Sequence, residues 1–395
     1  MKYLFLTHCY PSDLFESYLS NTIAALDFAS NNLNRAIIQG LQENGVCFDV
    51  INEPIVGSYP LYYRKLWVEG YKKDNFVSIP YFNLIYLKRF HIYLTLLHYI
   101  GIWCKKNKGE KAIVLYTIDH YNLIKRIKRK YPCVKVYCIV ADLPEFMATD
   151  NGVVTRLNKL MGGDKSVKGN GLNAIDGFIL LAPAMKERLP IGNKPWIQME
   201  GIYNPETSAT QDIRKEDNKT ILYSGDLGKR YGILDLLDAF SGIEGNNYQL
   251  MICGNGDSRD EIIKRSVKDT RIKYLGMLPR NEVLNLQKSS TLLVNPRHSK
   301  DEYTRYSFPS KTLEYMASGT PTLMAHLDSI PTEYDNYLYY LEDETVEGLR
   351  NKIVEICNKP KEELASMGSK AAEFILNNKM PRSQVKKIID FISIS

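Results

Sequence analysis

Short, uninterrupted apolar runs alternate along this chain with longer stretches in which apolar residues return every three or four positions. The alternation predicts strands and helices in turn. In the first half, residues 2–7, 46–52, 112–116, 134–140 and 174–181 read as strands. Continuous apolar runs of that length suit strands covered on both faces of a parallel sheet. Helical spacing appears at 31–44, within 81–111 and at 121–131, while 153–172 reads as a helix passing into a glycine-rich stretch. Residues 8–20 read as a polar loop and 59–74 as an aromatic, irregular excursion from the sheet. The segment 190–205, rich in proline and glycine, reads as a hinge, followed by a charged linker at 207–219. Beyond it the alternation resumes, with strands at 220–224, 248–253, 273–274, 291–294 and 320–325. Helices are predicted at 233–240, 280–288, 309–318, 346–357, 361–378 and 383–394. Strand-helix alternation repeated on both sides of a hinge predicts an α/β chain of two Rossmann-like halves, residues 1–197 and 198–379.

Composition narrows the classes. A chain of 395 residues, 44% apolar and 24% charged, is long enough for two ordinary domains with separate cores. The formal charge of +6 rests on scattered lysines as well as clusters, so it favours solubility and does not point to nucleic acid. Seven cysteines, odd in number and without a Cys-x-x-Cys pair, predict reduced thiols in a cytoplasm. Neither they nor the six histidines show metal-ligand spacing, so no metal is expected. The apolar run at the first residues is too short for a signal peptide. The longest apolar stretch, 92–104, is interrupted by Thr95 and His98 and is too short to span a bilayer. The helix within 81–111 is flanked by Lys88, Arg89, Lys105, Lys106, Lys108 and Lys111. It fits a buried layer helix with solvated ends, and it also fits a helix lying on an anionic membrane surface.

Chemistry concentrates in residues 304–325. Ser307 is placed to cap a helix whose first turn holds Pro309 and which Gly319 and Pro321 end, about three turns in all. Leu313, Met316 and Ala317 form its apolar stripe, leaving Lys311 and Glu314 on a polar side. A lysine near free helix-start N–H groups suits a phosphate, and a carboxylate one turn on suits a ribose diol. An ordinary amphipathic helix with a solvated Lys/Glu pair has the same pattern. Elsewhere, strand ends deliver Thr117, Asp119, His120 and Tyr121 to one loop and Asp142 and Glu145 to another, where open α/β sheets bind ligands.

The run from Tyr306 through Ser307, Ser310, Lys311 and Glu314 to Gly319 resembles the donor-site motif of retaining GT-B glycosyltransferases of family 4 (group 1), in a bacterial branch that builds surface polysaccharides. The resemblance implies two Rossmann-like domains facing each other across a cleft, acceptor on the first and nucleotide sugar on the second. It also implies that helix 380–395 crosses back onto the first domain. It further implies sugar transfer from a nucleoside diphosphate sugar to a hydroxyl of a glycan or lipid-linked acceptor, with retention and without a metal or other cofactor. Location would be cytoplasmic, peripheral at the inner face of the cell membrane. By the same resemblance Glu314 binds the ribose, while Tyr306 stands where the family has its sugar-touching glutamate. Asp226 and Tyr231 stand where the family places an arginine and a lysine for the diphosphate, so that role moves to Lys229 or Arg230 near Gly225. Ala141-Asp142 stands where a family histidine is common, leaving Asp142 as acceptor contact or base. Gly254 and Leu278 line the nucleotide side, Asp119 and His120 the acceptor side, and Arg297, after the strand at 291–294, faces the pyrophosphate. Electrostatic catalysis falls to Arg297, Lys311 and Arg230. The three departures also fit a decayed scaffold subunit on this fold. The Asp119/His120 loop leaves an epimerase or hydrolase of sugar nucleotides as a third reading.

Overall fold

The computed structural model of the chain describes residues 1–23, 26–117, 120–143, 170–205 and 218–395. They divide into two compact units, residues 1–202 with 381–395, and residues 203–380.

The first unit contains strands β1 (Lys2–Thr7), β2 (Phe48–Asn52), β3 (Trp67–Val68), β4 (Tyr71–Lys73), β5 (Phe76–Ser78), β6 (Tyr81–Phe82), β7 (Lys111–Tyr116), β8 (Val134–Val140), β9 (Gly177–Leu180) and β10 (Trp196–Gln198). Helices α1 (Phe15–Asn21), α2 (Phe28–Glu43), α3 (Leu87–Lys106), α4 (Tyr121–Lys130) and α5 (Met185–Arg188) connect them. The main sheet runs β10-β9-β8-β7-β1-β2-β5-β4, parallel throughout except for β4 against β5. From β1 the chain winds outward through β2 and β5, then returns to the other side of β1 with β7 and continues through β8 and β9. This is the doubly wound arrangement, and its strand order reverses between β1 and β7.

The second unit contains β11 (Lys219–Ser224), β12 (Tyr248–Cys253), β13 (Ile272–Gly276), β14 (Leu292–Asn295), β15 (Thr322–Ala325) and β16 (Tyr339–Leu341). Its helices are α6 (Ile233–Ser241), α7 (Arg259–Lys268), α8 (Arg280–Ser289), α9 (Glu302–Arg305), α10 (Lys311–Ala317), α11 (Val346–Cys357) and α12 (Lys361–Asn378). The order β13-β12-β11-β14-β15-β16 is wholly parallel. It is again doubly wound, reversing between β11 and β14. Ile221, Phe240, Leu250, Leu292 and Ile353 share one continuous core between sheet and helices. The last helix, α13 (Pro381–Ile394), belongs to the first unit and packs on α2. Asn44 Nδ2 donates to Arg382 O at 2.9 Å there, and a Cβ on Gly40 would lie 2.4 Å from Val385 Cγ2.

Several local expectations are corrected. Residues 8–20 are not all loop: a 3-10 turn at Ser12–Leu14 leads into α1. Helix α2 starts at Phe28, ahead of residue 31, because Asp27 caps it by accepting the Ser30 N–H at 3.0 Å. The excursion at 59–74 holds the short strands β3 and β4, paired antiparallel with β6 and β5. The helix predicted from residue 309 begins at Lys311 and is seven residues long. Pro309 lies before it in a tight turn, its carbonyl accepting from Thr312 N at 2.8 Å, and Ser307 is too far upstream to cap it. The helix predicted at 153–172, up to residue 169, and the linker 207–217 lie outside the described residues.

Candidate functional site: a cation cluster at the switch point of the second unit

Three loops converge beyond the carboxyl ends of β11 and β14, where the strand order reverses. One is the turn from Gly225 to Gly232, one carries Arg297, and one leads into α10. Close backbone approach makes this convergence possible. Gly232 sits at φ +75°, and a Cβ there would lie 1.9 Å from Pro296 O, so glycine lets the first loop close against the second. Likewise Gly254, at φ +140°, leaves room for Gly225 O, which a Cβ would meet at 1.8 Å.

Lys311 enters from α10. Its Nζ lies 2.8 Å from the Tyr223 hydroxyl and 4.0 Å from the centre of that ring. Gly225, at φ +137°, passes directly beneath it, since a Cβ there would be 2.9 Å from Nζ. Burial, and then the charge of Arg297, push Lys311 down to about 7. Arg297 lies 4.8 Å over the Tyr231 ring and 5.5 Å over that of Tyr303. Its Nε and Nη1 are buried without hydrogen-bond partners. Arg230 stacks on the same two rings, at 4.8 and 5.6 Å, and donates to the Tyr231 hydroxyl at 2.7 Å. Lys311 Nζ is 5.9 Å from the Tyr231 ring. Three cations therefore gather round Tyr231, and among the described residues none has a carboxylate within ion-pair distance. Positive charge without an ion-pair partner, on half-buried Lys311 and Arg297 and on the exposed Arg230, with unfilled guanidinium donors on Arg297, is the electrostatic profile of a site for a multiply charged anion. Asn295, wholly buried at the end of β14, adds an amide with both polar atoms unpartnered.

One turn along α10, Glu314 faces α8. Its Oε1 accepts from Gln287 Nε2 at 2.7 Å, and its Oε2 lies 3.2 Å from Arg280 Nη2. Gln287 also reaches Ser224 Oγ at 3.2 Å, and the Tyr315 hydroxyl clasps the Ser224 backbone at 2.8 and 3.0 Å. Thus α10, α8 and the end of β11 are locked together, with the carboxylate at their meeting point.

Of the residues singled out from sequence, Lys311, Arg297, Arg230 and Gly225 come together, with Glu314 beside them and Gly254 beneath. Lys229 does not join them: it is exposed, and its N–H donates to Asp257 Oδ1 at 2.8 Å. Tyr306 is almost wholly buried, Ser307 half-buried and Ser310 exposed. Leu278 packs against the small apolar cluster of Leu222, Cys253, Leu293 and Tyr315. Tyr223, Tyr231, Tyr303, Arg280, Gln287 and Asn295 carry the site as well and were not singled out from sequence as its members. Tyr231 had stood out only as a residue where a lysine was expected. In the first unit His120 follows β7, and Asp142 stands exposed after β8 with its charge acting on Tyr116. Asp119 and Glu145 lie outside the described residues.

Residues 206–374 match the family described as glycosyl transferases group 1. No curated protein matches the chain. Among solved structures, sucrose-phosphate synthase from Thermosynechococcus elongatus superposes with a TM-score of 0.65 at 12% identity, covering 100% of this chain and 98% of that one. The lipopolysaccharide outer core galactosyltransferase WaaB gives 0.61 at 14% identity, covering 100% and 99%. A variant of S. aureus TarM in complex with UDP gives 0.59 at 12%, covering 99% of each chain. The fold is GT-B, with two Rossmann-like domains, and the second of them is the part that matches the group 1 glycosyltransferases. It is a transferase of glycosyl groups.

Proposed function

We propose that the cation cluster holds the diphosphate of a nucleoside diphosphate sugar, and that the chain moves the sugar onto a hydroxyl of a glycan or lipid-linked acceptor in surface-polysaccharide synthesis. The observation that carries this reading is the meeting of Lys311, Arg297 and Arg230 at the switch point, unneutralised and with two buried guanidinium nitrogens unfilled. When the glycosidic bond breaks, negative charge builds on the departing diphosphate. Cations fixed beforehand stabilise that charge without reorganising, which lowers the barrier more than it tightens ground-state binding. Such a step asks for no metal and no enzyme nucleophile. Retention and membership of family 4 rest on the resemblance of 306–319. A seven-residue α10 has a weak macrodipole, so the side-chain cations carry the anion site. That they survive beside the departures at Tyr306, Asp226 and Tyr231 favours an active enzyme over a decayed scaffold.

Isothermal titration against a panel of nucleoside diphosphates is expected to find one that binds with one-to-one stoichiometry. Absence of binding by every member of the panel removes the proposal.

A lipid-linked acceptor calls for a membrane-facing surface, and the first unit offers one. No described helix is long and apolar enough to cross a membrane. Yet α3 exposes Leu87, Phe90 and Leu94, with Phe90 64% exposed. Beside it, Tyr93, Asn122, Lys125, Arg126 and Arg129 line a cavity of about 560 Å³. Apolar side chains next to a basic hollow suit peripheral contact with anionic headgroups at the cytoplasmic face. Flotation with vesicles rich in anionic lipid should carry the protein upward at low salt. Reversing Lys125, Arg126 and Arg129 to glutamate should leave it behind, and equal flotation of the two proteins rules this surface out.

A further inference from the structure

The first unit has a switch point of its own, between β1 and β7, and a side-chain cluster stands there that is no part of the diphosphate site. Three residues occupy the carboxyl ends of adjacent strands: His8 after β1, Glu53 after β2 and His120 in the loop after β7. Their ligand atoms all lie within 4.8 Å of one another. His120 Nε2 is 2.9 Å and His8 Nε2 3.9 Å from the same Glu53 oxygen, Oε2. That oxygen is buried, and His120 Nε2 stands at hydrogen-bonding distance from it. The side chains are 6%, 14% and 16% exposed for His8, Glu53 and His120.

We propose that His8 Nε2, His120 Nε2 and Glu53 Oε2 form a binding site for one divalent transition-metal ion of the zinc type. Two imidazoles aimed at one carboxylate oxygen call for a positive charge between them. A proton can serve only one imidazole, and His8 at 3.9 Å is beyond hydrogen-bond reach. Zinc-type ions bind imidazole nitrogen and carboxylate oxygen at about 2.0–2.2 Å, which sets ligand atoms roughly 3.3 Å apart in a tetrahedron. The observed 2.9 and 3.9 Å bracket that value, so small side-chain rotations suffice. Lys88 is a cation near enough to act on Glu53, and its ammonium is engaged by Val56 O.

The backbone around the cluster is fixed in advance. Glu53 N donates to Thr7 O at 2.9 Å. Asn52 grips Cys9 through its N–H at 2.8 Å and its carbonyl at 2.9 Å, holding the loop after β1 in place. His120 opens α4, its carbonyl accepting from Ile124 N at 3.0 Å. Two histidines and one carboxylate leave a fourth position for water or a hydroxyl, as in metal sites that keep an open coordination place. The ion would join β1, β2 and the loop after β7 at the place where a doubly wound sheet takes its ligand.

The test uses the full chain, stripped with chelator and dialysed. Titration with Zn²⁺ should show one equivalent bound, and Co²⁺ should give visible d–d bands without a thiolate charge-transfer band. Glu53→Gln and His120→Ala should each weaken the metal at least about tenfold while leaving nucleoside diphosphate binding unchanged. Should either variant fail to fold, imidazole resonances of the wild-type protein decide: Zn²⁺ should shift two of the six histidines. Absence of uptake, a thiolate band, unchanged affinity in both variants, or unmoved imidazoles overturns the assignment and leaves a proton-linked Glu53–His120 pair.

Discussion

Lys311→Met is expected to lower kcat/KM by about 10²–10³-fold, through turnover and through affinity for the diphosphate together. The lysine stands 2.8 Å from the Tyr223 hydroxyl with Arg297 as the charged neighbour that acts on it most, and no carboxylate among the described residues is in ion-pair contact with it, so its ammonium is poised for an anion. Met keeps most of the side-chain volume and removes only the charge. A proton signature separates this role from a structural one. With the site empty, burial and Arg297 hold Lys311 at about 7, so at pH 8 it is mostly neutral. A bound diphosphate raises it again, and nucleotide binding at pH 8 should then take up close to one proton. Calorimetry in buffers of different ionisation enthalpy reads this directly. Affinity should fall with rising pH above 7, by up to about tenfold per unit.

The same shift has a stability sign. Because the folded pKa lies below the unfolded one, the unfolded chain binds more protons between about pH 7 and 10.5. Stability of the empty protein therefore rises with pH across that window, and the charged form is the destabilised one. Lys311→Met should accordingly be more stable than wild type at pH 7, the gap closing towards pH 10, as for other residues whose placement serves activity at the expense of stability. Unchanged turnover, or identical proton uptake in the two proteins, would dissociate Lys311 from the leaving group.

The sheets were legible because buried parallel strands write themselves as unbroken apolar runs. Residues 134–140 and 248–253 are β8 and β12 to the residue. Local chemistry was harder where two signals competed. Ser307 and Pro309 together look like a helix start, yet the tight turn at Pro309 delays α10 to Lys311. Asp27, four residues before the helical pattern read from residue 31, was the true cap of α2. At the site, Lys311, Arg297 and Arg230 could be picked out singly, but what unites them is Tyr231, a ring shared by two guanidinium groups and approached by the lysine. A sequence shows Tyr231 only as a lysine that is missing. Arg280 and Gln287 stand on one face of α8, seven residues apart, and nothing near them in sequence says that the face meets Glu314. The histidine-glutamate cluster is invisible for a deeper reason. His8, Glu53 and His120 share no spacing, and become neighbours only once the chain has placed β2 and β7 on opposite sides of β1.

Glu314→Ala is expected to weaken nucleotide binding by about 1–3 kcal/mol, roughly 5- to 150-fold. A carboxylate offers about four acceptor positions, and Gln287 and Arg280 take one on each oxygen. One position per oxygen is left, enough for the two hydroxyls of a ribose. Removing Glu314 also strands Arg280 and Gln287, so a loss of affinity alone does not identify the contact. A cycle with the ligand does. Deleting both ribose hydroxyls from the nucleotide should cost wild type most of the same free energy, and should cost Glu314→Ala almost nothing, because the partner is already gone. The coupling isolates the ribose contact from the disturbance of α8, which is common to both ligands. If the dideoxy nucleotide loses as much affinity against Glu314→Ala as against wild type, the hydroxyls meet some other group. Glu314 would then serve only to brace α8 against α10.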